Sequence, residues 1–229
     1  MAITNTTLTR AAGLSAVTAG LLFLAVQIDH PPVNLALVTT TEWKARQSMK
    51  VLLAALSLAG ITGMYLRQVK KTGVLGLVGY VVFAVNYLIM LSNEVIGLFV
   101  FPTLASSAPG YVSDVLAVAN GGTAAGDIGL FGPLNMVGGF AYMGGGLVFG
   151  IALFRAGVLA RWAAAVLAVG TIASIAIPFL PQVNQRLFAI PTGVALVGLG
   201  YSLWREQRTP TAQRLTSTVS PQLDPVGAK

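Results

Sequence analysis

The chain has 229 residues, 55% hydrophobic and only 9% charged, with a mean hydropathy of +0.77. Soluble globular domains carry about 25% charged residues, so the composition excludes that class and points to an integral membrane protein. The lack of cysteine excludes disulfides and thiolate chemistry, and a single histidine, His30, excludes a multi-histidine metal site and haem held by two axial histidines. No metal or cofactor is expected.

A helix crosses the hydrocarbon core with about 20 mostly apolar residues, because lipid offers no partners to backbone N–H and C=O groups and a helix satisfies them internally. Six stretches qualify: Ala11 to Ile28, Thr40 to Leu66, Thr72 to Leu104, Pro133 to Phe154, Trp162 to Phe179 and Leu187 to Trp204. The expected fold is an all-α polytopic membrane bundle of about six transmembrane helices, seven if the outer loop hides another. It forms one domain over residues 1–204, and the polar tail 205–229 is expected to be disordered.

The first stretch follows Arg10 as a signal peptide would, but its apolar run is too long and no small-x-small cleavage site follows. It reads as a retained helix. The second opens with Thr39 and Glu42 in the relation of a capping box. Glu42 and Arg46 then stand at i, i+4, Trp43 suits the interfacial belt, and Lys50 can snorkel outward.

The third stretch is longer than a bilayer requires, so it must tilt, kink or project before Pro102. After it, the Gly- and Ala-rich segment from Ser106 to Gly132 contains "YVSDVLAV", a candidate interfacial helix, and "NGGTAAGD", an unstructured or re-entrant turn. The fourth is crowded with glycines, including Gly146 and Gly150 at GxxxG spacing, which lets helices approach closely in lipid. Pro178 and Pro191 are candidate breaks in the fifth and sixth. No internal repeat is evident, which weighs against an inverted-repeat transporter.

With the N-terminus inside, Arg10, Arg67, Lys70, Lys71, Arg155, Arg161, Arg205, Arg208, Arg214 and Lys229 face the cytoplasm. Lys44, Arg46, Lys50 and Arg186 face outward, and this bias predicts cytoplasmic termini. The net charge of +7 then matches anionic membrane lipid as a partner and requires no nucleic acid.

Five of the seven acids, Asp29, Glu42, Glu94, Asp114 and Asp127, fall on the outer half of this topology. A rise of about 1.5 Å per residue puts Glu94 roughly 33 Å above Thr72, near the outer edge of the hydrocarbon. Phe83, Tyr87, Met90 and Glu94 follow i, i+4, i+7, i+11 and share one helix face, flanked by Asn86 and Asn93. An ionisable group facing lipid costs several kcal/mol, so this face is expected to meet protein or a cavity.

Bland readings stand beside this one. Taken singly, Asp29, Glu42, Asp114 and Asp127 read first as surface groups at headgroup level and the aromatics first as packing, and His30 before Pro31 and Pro32 can serve only as a helix stop. Glu94 is the exception, because an intramembrane acid is functional by default. A carboxyl group kept out of bulk water can serve as a proton donor.

The segments "HPP" (30–32), "TTTEW" (39–43), "YLRQV" (65–69) and "FPTLA…APGYV" (101–112) resemble a group of small actinobacterial polytopic membrane proteins. That resemblance implies a bacterial plasma membrane and brings no activity. In size and all-helical layout the chain is also similar to the integral-membrane terpene cyclases of meroterpenoid pathways. Those proteins protonate an alkene or epoxide with buried acids and guide the cation along aromatic walls.

The expectation that follows is a cyclase or isomerase acting on a hydrophobic, isoprenoid-type substrate. Glu94 or Asp29 would be the acid, and the other, or His30, would accept the final proton. Trp43, Phe83, Tyr87 and Tyr142 would line the cation's path, with stabilisation by cation–π contact. Arg46, Asn86 and Asn93 would orient the substrate's polar end. Two alternatives remain: a small-solute or proton-coupled transporter using Glu94, and a non-catalytic lipid-binding or assembly subunit.

Overall fold

The computed structural model describes residues 4–29, 31, 33–179 and 186–206, and within them every regular element is helical. The expectations attached to His30 and to most of the polar tail lie outside the described residues. The elements are α1 (Asn5–Ala25), α2 (Leu35–Val38), α3 (Thr41–Phe99), α4 (Phe101–Ser107), α5 (Pro109–Ala119), α6 (Phe131–Ala156), α7 (Arg161–Ala173) and α8 (Ala189–Glu206). Tighter 3-10 turns follow α7 at Ser174–Phe179 and precede α8 at Arg186–Phe188.

Three helices, α1, α3 and α6, are long and apolar enough to cross a membrane, which makes this a helical membrane protein. The helix α3 is not one rod. Gln68 (φ −132°, ψ 22°) and Gly73 (φ 57°, ψ −151°) leave helical geometry and divide it into two arms, 41–67 and 74–99. The arms face each other, since Tyr65 stacks on Tyr80 at 4.7 Å and the hydroxyls of Thr62 and Tyr80 lie 3.0 Å apart.

The backbone at Gly73 lies close to a region that only glycine enters freely. Gly73→Ala should therefore lower stability by about 1–3 kcal/mol, although nothing lies within 4 Å of the added methyl. A melting-temperature comparison in detergent checks this, with no drop expected for Gly110→Ala, where space is also open and φ is ordinary.

Six helical rods, counting the two arms of α3 separately, close into a ring among the described residues. α1 packs on α3 and α8, α3 on α6, α6 on α7, and α7 on α8. The centre is filled by Met64, Phe83, Tyr87, Phe149, Leu167 and Leu196, all fully buried. The outside is apolar as well, with Leu21, Leu52, Val74, Leu88, Phe140 and Val169 exposed. An apolar surface all round suits lipid rather than water.

The ring closes on glycine. A Cβ on Gly20 of α1 would lie 2.5 Å from the Gly193 carbonyl of α8, and one on Gly79 or Gly145 would lie 2.5 Å from the backbone nitrogen of Phe149 or Phe83. Gly146 and Gly150 pack on Thr171 and Ala168 of α7, so the GxxxG pair serves packing inside the bundle.

Several boundaries differ from expectation. The start of α3 is capped by Thr40, not Thr39, because Thr40 has the extended backbone (φ −83°, ψ 160°) and its hydroxyl accepts the Trp43 N–H. The third stretch ends its helix at Phe99 and restarts as α4, with Pro102 in the first turn. Pro191 does not break α8. It lies in the first turn, where its missing N–H has no intrahelical acceptor to lose.

Short elements cover one end of the ring. Val38 of α2, Trp43, Phe101 of α4, Val112, Val115 and Leu116 of α5, and Ile128 form a second apolar cluster there. The segment "YVSDVLAV" is helical, within α5, and "NGGTAAGD" is a non-helical loop. The Asp114 carboxylate holds that loop by accepting the N–H groups of Ala125 (3.1 Å) and Gly126 (2.8 Å).

Candidate functional site

The capped end of the bundle holds the polar cluster in which Glu94 sits. The first arm of α3 presents Trp43, Gln47, Lys50 and Ser57 at i, i+4, i+7 and i+14, which lie on one helix face. The second arm answers with Gly97, Glu94 and Tyr87. The Gln47 amide donates to Glu94 Oε2 at 2.7 Å, and Lys50 Nζ lies 3.8 Å from the same oxygen. Both charged side chains are largely withdrawn, with Lys50 20% and Glu94 17% exposed.

Glu94 thus accepts one hydrogen bond, from Gln47, and faces the Lys50 ammonium, both from the opposite arm. A cyclase acid must instead be free to give a proton to substrate. Lys50 is paired with Glu94 across the hairpin.

Trp43 is buried, and its indole N–H donates to the Gly97 carbonyl at 2.8 Å. That carbonyl belongs to the last turn of α3, where no helical N–H follows to satisfy it. The ring therefore ties the start of the first arm to the end of the second.

Arg46 is committed as well. Its guanidinium donates to Glu42 (3.0 Å) and to the carbonyls of Val26 (3.2 Å), Ile28 (3.2 Å) and Asp29 (2.8 Å). These carbonyls belong to the C-cap and the turn just beyond α1, where a cation is favourable both as a hydrogen-bond donor and toward the helix dipole. Asp29 takes part only through its backbone, in a left-handed conformation (φ 45°), and its side chain is exposed. No hydrogen bond or ion pair joins Asp29 to Glu94 among the described residues.

Below this cluster, the aromatic stripe closes on itself. Phe83 and Tyr87 are 0% exposed and lie 4.9 Å apart, with Phe83 also 6.1 Å from Tyr142 and 6.4 Å from Phe149. The Tyr142 and Thr192 hydroxyls are 2.6 Å apart. The Tyr87 hydroxyl lies beside Ser57 without hydrogen-bond geometry, and both are buried and unpartnered. Asn86 is buried, and Asn93 is half-buried with an unpartnered Oδ1.

Two cavities lie elsewhere. One, of about 300 Å³, is an apolar groove between α6 and α7 lined by Leu147, Ile151, Phe154 and Val169 among others. The other, of about 260 Å³, is lined by Lys71, Thr72, Val74, Leu75, Ala152 and Arg155. Neither is lined by Glu94 or by the aromatic stripe. Among the described residues no three His, Asp or Glu side chains form a metal-binding group.

The pairing of Glu94 with Lys50 is one that the non-catalytic reading anticipates, whereas sequence reading missed Gln47 as the hydrogen-bond donor to Glu94 and the placement of Ser57 beside Tyr87. Compared with known proteins, the chain matches no protein-family model, no curated protein and no solved structure.

Proposed function

We propose that this chain is a non-catalytic, lipid-binding membrane protein whose buried polar residues join helices. The observation that carries the proposal is the commitment of Glu94 to Lys50 and Gln47, away from both cavities. In lipid, helices gain little from the hydrophobic effect, so interhelical hydrogen bonds and close packing of small residues hold them together. The polar contacts between the arms of α3 serve that purpose from Trp43–Gly97 through Thr62–Tyr80.

The lipid-binding form is favoured over an assembly subunit because most glycines of the helices are used inside the ring. On α6 only Gly139 and Gly144 meet nothing within 4 Å. The apolar groove between α6 and α7 opens to the surface and suits an acyl chain.

Six membrane crossings, with Arg67 and Glu206 at the cytoplasmic end, belong to the same proposal. The Arg67–Glu206 ion pair (2.6 Å) supports it by joining the end of the first arm to the end of α8. The lack of native cysteine makes the test simple. A single cysteine at Lys44 should label with a membrane-impermeant maleimide on intact cells, and one at Lys70 should label only after permeabilisation; the reverse pattern would invert the orientation.

One observation favours the cyclase reading: the unpartnered hydroxyls of Tyr87 and Ser57 lie against an aromatic surface. Purified protein incubated with prenylated phenols, quinones and their epoxides decides between the two. Lipid binding without turnover is expected. Turnover that Glu94→Gln abolishes would establish catalysis and defeat the non-catalytic reading.

A further inference from the structure

We infer that the cavity between the α3 turn and the end of α6 is a binding site for the phosphate headgroup of an anionic phospholipid. It deepens the lipid-binding reading and rests on it for the membrane setting. Gly73 reverses the backbone just after Lys71 and Thr72, and α6 brings Arg155 in its last turn to the opposite wall. The two cations thus line one space of about 260 Å³ from two different elements.

Neither cation is compensated among the described residues. The ion pairs found there are Arg46–Glu42, Lys50–Glu94 and Arg67–Glu206, and no acid lines the cavity. Two unpaired cations across a cleft attract a divalent or diester phosphate more strongly than either would alone. Thr72 shapes the floor without serving as a donor, because its hydroxyl is given to the Gln68 carbonyl at 3.1 Å.

The remaining wall selects lipid over a soluble phosphate. Val74 and Leu75 line the same cavity and are exposed, Val74 at 77%. They continue the lipid-facing surface of the second arm, so a headgroup held by Lys71 and Arg155 leaves its acyl chains against apolar side chains. A free phosphate would gain nothing from that wall. Basic pockets at the cytoplasmic ends of helices are where electrostatic attraction to anionic lipid is strongest.

The test uses the full-length protein in mild detergent, titrated with short-chain phosphatidylglycerol, short-chain phosphatidylcholine or inorganic phosphate and followed by native mass spectrometry and melting temperature. Phosphatidylglycerol should bind and raise the melting temperature, while phosphatidylcholine and inorganic phosphate should do neither at equal concentration. Lys71→Ala with Arg155→Ala should weaken phosphatidylglycerol binding by roughly thirtyfold, and Lys71→Arg with Arg155→Lys should preserve it. If the alanine pair does not fold, Arg155→Gln alone should still weaken binding measurably.

Equal binding of phosphatidylcholine, equal binding of inorganic phosphate, or undiminished phosphatidylglycerol binding in the neutralised variants would each overturn the site. The turnover assay on prenylated substrates reads the non-catalytic proposal separately, so the two can fail independently.

Discussion

Gly145→Leu is expected to leave little or no folded protein. The α6 backbone approaches the second arm of α3 so closely that even a methyl on Gly145 would lie 2.5 Å from the Phe83 nitrogen, and the reciprocal approach at Gly79 is equally tight. Backbone cannot rotate aside as a flexible side chain can. Overpacking in a filled core costs about 1–3 kcal/mol and sometimes more, and here both ends of a shared seam must move. Against a net stability of about 5–15 kcal/mol, that threatens the closed ring itself.

A control lies on the same helix. Gly139 meets nothing within 4 Å, so Gly139→Leu should fold normally and gain slightly from leucine's better helix propensity. Size-exclusion profiles and melting temperatures of the two variants in one detergent make the comparison. Equal behaviour would show that the seam is looser than described.

Phe83→Ala should be the most costly truncation in the bundle, at about 3–5 kcal/mol. Phe83 is fully buried and touches Tyr87, Tyr142 and Phe149, so its removal forfeits ring contacts on three sides and leaves a cavity at the centre. The surrounding helices are held at fixed spacing by the glycine seams and have little freedom to collapse into the space. A small apolar ligand such as benzene should therefore recover part of the lost melting temperature, as in other dry engineered cavities. A cyclase pocket would respond differently, with altered products and near-normal stability.

Hydropathy made the helical stretches legible because each carries an unbroken apolar run. Their ends were less so. Thr39 and Thr40 are both competent caps, and only the extended backbone at Thr40 decides between them. The run through Pro102 hid the break at Val100, since apolar composition continues across it.

The candidate site was half visible. Helical spacing put Phe83, Tyr87, Met90 and Glu94 on one face, and the Glu42–Arg46 pair formed at 2.9 Å as its spacing predicts. What Glu94 faces depends on the register of a hairpin whose turn is set by Gly73, and its partner Gln47 is 47 residues away. No local pattern encodes that pairing. The contacts of Arg46 beyond Glu42 were likewise illegible, because those acceptors are backbone carbonyls of the turn that follows α1, which carry no side-chain signature.

The central claim is that Glu94 holds helices together, and a double-mutant cycle with Lys50 in lipid nanodiscs tests it most directly. Lys50→Met and Glu94→Gln should each destabilise the bundle, because each strands part of a partly withdrawn polar cluster. Together they should cost less than the sum of the single changes, with a coupling of about 1–3 kcal/mol. Strictly additive effects, or a Glu94→Gln variant as stable as the parent, would contradict the account and return Glu94 to the status of a free acid.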